Sequence, residues 1–210
     1  MVRKTKAETE RTRIGIIDAA RRAFHEFGVS RTSLEKIARI AGVTRGAIYW
    51  HFKNKTELFH AMREQALNHT SQIKFDMLSE DVQNPLDAIE RFLLELIEIL
   101  KNDPSVRQIF EIMLWRCEYV GEFAPVLYEA LRPRRDILSM LKIVYERAAN
   151  RGFLRPALDP EVMAYDTMFF STGLLNFTLS ADRLLQAQES IRAHIALRRG
   201  DRRANDPSGG

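Results

Sequence analysis

The chain has 210 residues, 45% hydrophobic and 29% charged, with 10 Gly and 7 Pro, which excludes collagen-like and low-complexity classes and predicts an ordered, helical protein with a sizeable core. Its one cysteine, Cys117, cannot form an internal disulfide, so a secreted disulfide-stapled scaffold is excluded and a reducing compartment is expected. The formal net charge of +4 is uneven: residues 1–55 hold 13 basic against 5 acidic residues, and the remainder 19 against 23. A basic head on a mildly acidic body suits a polyanion that meets the head alone, although charge by itself fits a solvated basic face equally well.

The basic arm over residues 1–8 is not followed by an apolar stretch, so it is not a secretory signal, and no run of about 20 apolar residues could span a bilayer. A cytoplasmic location is expected. Periodicity is helical nearly throughout, which predicts an all-α fold of nine helices in two domains. The first helix covers about 9–27, with Ile14, Ile17, Ala20, Phe24 and Phe27 on one face and Gly28 as its stop. Thr32 and Glu35 have capping-box spacing before a short second helix that ends at Gly42, and Thr44 caps a third through Phe52. Asn54 and Glu57 open a fourth helix running to about Met77. Asn84-Pro85, Asp103-Pro104 and Asp159-Pro160 each place a capping side chain before proline at a first helical position, so three more helices start there. The second of these continues through Cys117. A helix from about Pro125 to Ala149 contains Pro133, a position for a kink. The helix after Asp159 is apolar almost all round and must be covered on both sides. A ninth helix spans about 181–198, and 199–210 read as a disordered tail. The domains are then a basic head over 9–53 and a body over 54–198.

Residues 32–52 read helix, Gly turn, helix. That is the layout of a helix-turn-helix, whose second helix enters the major groove. Leu34, Ile37, Ala38, Val43, Ile48 and Phe52 can bury against Phe24 and Phe27 and so fix the interhelical angle. Thr44, Arg45, Gly46, Tyr49 and Trp50 lie at the free end or outward side of the third helix. Arg45 can read guanine bidentately and Gly46 lets the backbone approach the groove floor. Thr32, Tyr49, His51 and Lys55 suit phosphate contacts. Taken singly, each of these residues also fits a surface, capping or core role.

The run IARIAGVTRGAIYWHFKNKTELF resembles the DNA-binding domain of the tetracycline-repressor (TetR) family over about residues 10–60. The stretches Glu111–Tyr119 and Arg151–Glu161 are similar to the branch that represses multidrug efflux pumps. The resemblance implies a homodimer on a palindromic operator of double-stranded DNA, and a body that receives a hydrophobic effector such as a drug, phenolic or flavonoid-like molecule. It further implies pocket walls at Phe92, Leu93, Leu96, Phe110, Leu114, Ile137, Leu141, Phe169 and Thr172, and dimerisation through the last two helices. Relatives can carry acidic or amide groups where this chain has Thr172 and Phe110, so a more apolar pocket is expected. Thr172, Asn176, Glu111 and His69 could orient a ligand. Gly173 fits either close approach of a second subunit or packing within one.

An enzyme is disfavoured: there is no glycine-rich phosphate loop, no histidine pair at metal spacing among His25, His51, His60, His69 and His194, and no nucleophile motif around Cys117. No cofactor is implied. The rival reading is a DNA-binding activator or chromosome-organising factor whose body binds a protein partner instead of a ligand.

Overall fold

The computed structural model describes residues 5–181 and 184–200, with ten α-helices and no β-strand among them. The chain divides into two compact units. Among the described residues the first comprises those up to His69 together with Asp103–Ala130, and the second Thr70–Asn102 together with those from Leu131 onward.

In the first unit α1 (Lys6–Phe27) begins earlier than expected. Thr5 and Glu8 form a reciprocal capping box, each side chain bonding the other's backbone N–H, and this satisfies two donors that a helix start leaves open. Its buried stripe is Ile16, Ile17, Ala20, Ala23 and Phe24, whereas Ile14 faces outward. Gly15 sits in the helix with room around it. The cap of α2 (Leu34–Ala41) is Ser33, whose Oγ accepts from the Lys36 N–H at 3.2 Å, and not Thr32. Gly42 ends α2 at φ 67°, a left-handed conformation that glycine adopts without Cβ strain. Thr44 caps α3 (Arg45–His51) through the Ala47 N–H. Ile37, Ile48 and Phe52 are fully buried with Phe24, and this apolar contact holds α2 and α3 in place.

The expected fourth helix is two. α4 (Lys55–His69) ends before Thr70, and α5 (Ser71–Met77) restarts after it. α7 (Pro104–Glu111), capped by Asp103 Oδ1 on the Ser105 and Val106 N–H groups, gives way to a π-helical turn at Ile112–Arg116 where an unbroken helix through Cys117 was expected. Both belong with α1 and α4: Arg21 binds Gln108, His25 Nε2 lies 2.6 Å from Glu111 Oε2, and the Val29 N–H donates to Arg116 O. The expected head at 9–53 therefore sits inside a larger unit. Burial pushes the Cys117 thiol up to about 11, so it stays protonated.

In the second unit α6 (Pro85–Asn102) buries Leu86, Ile89, Phe92, Leu93, Leu96, Ile97 and Leu100. α8 (Ala124–Asn150) starts in the first unit and continues through Pro133 without a break. α9 (Pro160–Ala181) and α10 (Leu184–Ala196) follow. Tyr145 on α8, Thr167 on α9 and His194 on α10 form a chain of hydrogen bonds, 2.6 Å and 3.0 Å long. Among the described residues α9 is covered on one side only: Val162, Tyr165, Phe169 and Phe177 are exposed. Arg199 and Gly200, expected in the tail, are held in place. Arg199 pairs with Asp87 at 2.6 Å and Glu90 at 2.8 Å and bridges Leu154, while the rest of that tail lies outside the described residues.

Candidate nucleic-acid interface and effector residues

Helix α3 turns Ile48 into the core and leaves Arg45, Gly46, Tyr49 and Trp50 on the outside, with Trp50 71% exposed. A Cβ at Gly46 would meet Thr44 Oγ1, at 3.9 Å, so nothing among the described residues demands glycine there. Arg45 is not idle. Its Nε lies 3.1 Å from Glu35 Oε1 on α2, and its guanidinium donates to Tyr49 Oη at 3.4 Å. Those contacts raise the Arg45 pKa, the Tyr49 hydrogen bond contributing most. His51 is half-buried, with Trp50 edge-on at 4.6 Å between ring centroids.

Two of the proposed phosphate contacts are placed differently. Thr32 is buried, and its hydroxyl donates to Gly28 O at 2.7 Å, closing the end of α1. Its side chain has no surface to offer a phosphate. Lys55 is drawn against the first unit, its Nζ 3.1 Å from Glu122 Oε1 and 5.3 Å from the centre of the Phe123 ring. Glu35 was missed as a functional residue because an acidic side chain in a first helical turn already has a local reason to be there.

Among the expected effector residues of the second unit, Phe92, Leu93, Leu96 and Leu141 are buried and Ile137 and Thr172 half-buried. Phe169 is the exception at 69% exposed. In the first unit Phe110 and Leu114 are half-buried, at the end of α7 and in the π turn. The nominated polar groups are largely committed: Thr172 and Asn176 donate back to carbonyls of their own helix, and Glu111 binds His25 and Arg107. The His69 side chain lies outside the described residues.

One buried cation went unread. Arg63 on α4 is only 6% exposed. The spacing held the signal, since Arg63 stands four residues after Phe59 and three before Ala66, both fully buried.

Residues 16–62 match the family described as bacterial regulatory proteins, tetR family. The AcrR transcriptional regulator of Shigella flexneri is 41% identical over 206 residues, which covers 94% of this chain and 92% of AcrR. The chain belongs to the TetR family. It is a DNA-binding transcriptional regulator and not an enzyme. TetR regulators bind DNA operators and small-molecule effectors, typically as dimers. Two solved structures carry the same two-domain TetR architecture across nearly the whole chain. NalD, the secondary repressor of the MexAB-OprM multidrug efflux pump in Pseudomonas aeruginosa, matches with a TM-score of 0.78 at 33% identity over 91% of this chain and 95% of NalD. SmeT in complex with triclosan matches at 0.76 and 29%, over 94% of this chain and 96% of SmeT, which is the repressor of a Stenotrophomonas maltophilia efflux pump.

Proposed function

We propose that this protein represses a multidrug efflux operon, binding a palindromic operator as a homodimer and leaving it when a hydrophobic small molecule enters the body. The observation that carries the reading is α3: its inner side is locked by Ile48, and Arg45, Tyr49 and Trp50 stand outward around a glycine that the other described residues do not require. The likeness to NalD and SmeT, both repressors of efflux pumps, supports the choice of operon. The SmeT–triclosan complex supports an aromatic, apolar effector.

In this reading Arg45 reads a base edge, Thr44 and Gly46 bring the start of α3 to the groove, and Tyr49, Trp50 and His51 flank it. The exposed stripe of α9 is the surface a second copy covers, with α10 beside it. A Cβ at Gly173 would meet nothing within 4 Å, which favours intersubunit approach over packing inside one subunit. Two recognition helices must sit roughly 34 Å apart to enter successive major grooves. An effector that prefers a body conformation with a different head spacing releases the DNA, and a tenfold effect needs a preference of about 1.4 kcal/mol between the two states.

The test is selection of DNA from a random pool, followed by titration of hydrophobic drugs and phenolics against the bound complex. A palindromic site released by some compounds supports the reading. A site that ignores them all favours a body that recruits a protein partner, and no site at all overturns the role given to α3.

A further inference from the structure

Arg63 Nε and Nη1 are buried and have no hydrogen-bond acceptor among the described residues. Its third nitrogen, Nη2, reaches Glu64 Oε1 at 3.5 Å, a carboxylate that is itself mostly exposed. A buried guanidinium with open N–H groups is among the costlier side chains a free protein can carry. Its cost falls if the bound state supplies the acceptors.

The surroundings on its own unit suit such a ligand. α4 packs against α7, which runs into the π turn at Ile112–Arg116. Phe110 and Leu114, at that junction, are half-buried apolar side chains. One turn before Arg63 stands His60, also half-buried. Its pKa is lowered by burial first and by the Arg63 charge second, against smaller opposing effects of Glu129 and Glu64. Burial and the Arg63 charge thus both disfavour a second positive charge at His60.

We propose that Arg63 is an anion anchor: the effector carries a carboxylate or phenolate on an apolar body, and that oxyanion accepts from the open N–H groups of Arg63. This deepens the effector reading above and rests on it. It also assigns a charge to the effector class, which the apolar walls alone leave open.

The experiment uses the full chain and a matched panel of aryl carboxylates and of phenols acidic enough to ionise at pH 8, triclosan among those tried, each beside its methyl ester or ether. Affinity is read by calorimetry at pH 8 and release by anisotropy of labelled operator DNA. In the wild type the acids should bind at least tenfold tighter than their methylated partners. Arg63→Met, similar in length and uncharged, should abolish that ratio and keep affinity for the esters and ethers. Arg63→Lys retains the charge without the planar fork, should keep part of the ratio, and serves if the Met variant does not fold. Acids and methylated partners binding the wild type alike, or a ratio that survives in Arg63→Met, overturns the anchor and leaves the effector reading standing. If no compound of either kind binds or releases DNA, the effector reading fails and the anchor fails with it.

Discussion

Arg45 Nε lies 3.1 Å from Glu35 Oε1, so the foremost base-reading candidate is held, in the free protein, by the helix that supports it. Both side chains are exposed, and an ion pair in water is weakly held. DNA can therefore take Arg45 from Glu35 at little cost, while the pair keeps the guanidinium near the start of α3.

From that geometry Arg45→Ala should reduce the preference for operator over random DNA by about tenfold, the loss of one bidentate base contact. Glu35→Gln, which removes the carboxylate paired with Arg45, should raise affinity for both DNAs alike. Competition anisotropy with the two DNAs separates the cases. An equal loss on both for Arg45→Ala would place Arg45 on phosphate instead.

Lys55 gives a different signature. If it leaves Glu122 to meet a phosphate, Lys55→Ala weakens all DNA alike and lowers the salt slope of binding by about one. Glu122→Gln frees the same lysine and should strengthen binding to all DNA. A slope unchanged in Lys55→Ala would mean that the lysine stays with Glu122 and serves the fold.

Thr32→Val keeps the volume and deletes the hydroxyl that donates to Gly28 O. Leaving that half-buried carbonyl with one bond fewer should cost about 1 kcal/mol of stability. The denaturant midpoint should fall while DNA affinity of the folded protein holds. A loss of affinity with unchanged stability would restore Thr32 to the DNA surface.

Much of this was legible because it is written in local patterns. Ile37, Ile48 and Phe52 recur at helical spacing, Gly42 marks a left-handed stop, and Asp103-Pro104 announces a helix start. The break at Thr70 carried no glycine or proline. The π turn after Glu111 has an ordinary helical sequence and arises where Arg116 O must accept from the Val29 N–H, a contact between residues far apart in the chain. Thr32 and Arg63 share the same difficulty: a polar residue type argues for the surface until its neighbours in space are known.

His194 makes stability depend on pH. Burial first, and the nearby Arg198 charge second, hold its pKa down at about 4 against an ordinary 6.5, and its ring accepts or donates at Thr167 Oγ1 and stacks on Phe170. Above about pH 6.5 the ring is neutral in both states. Between there and about pH 4 the unfolded chain takes up a proton that the folded one does not, so stability falls as pH falls. With discounting for solvent around a half-buried ring, the loss should be about 1–2 kcal/mol. Melting temperatures of wild type and His194→Gln at pH 7 and pH 5 check it: the variant should show the smaller drop, and equal drops would assign the acid sensitivity to other groups.

Phe169 was nominated as an effector wall, yet at 69% exposed it shares an outward stripe of α9 with Val162, Tyr165 and Phe177. These positions lie three, four and eight residues apart, close to whole turns of one helix, and Gly173 leaves open space between the last two. An apolar stripe of that size on a chain of this composition calls for a covering surface, and a second α9 related by a two-fold axis presents the same stripe in return. Phe169→Asp should therefore shift sedimentation toward the monomer and weaken operator binding through loss of the second head, with effector affinity per chain retained. A variant that stays dimeric but loses effector affinity would return Phe169 to the effector site.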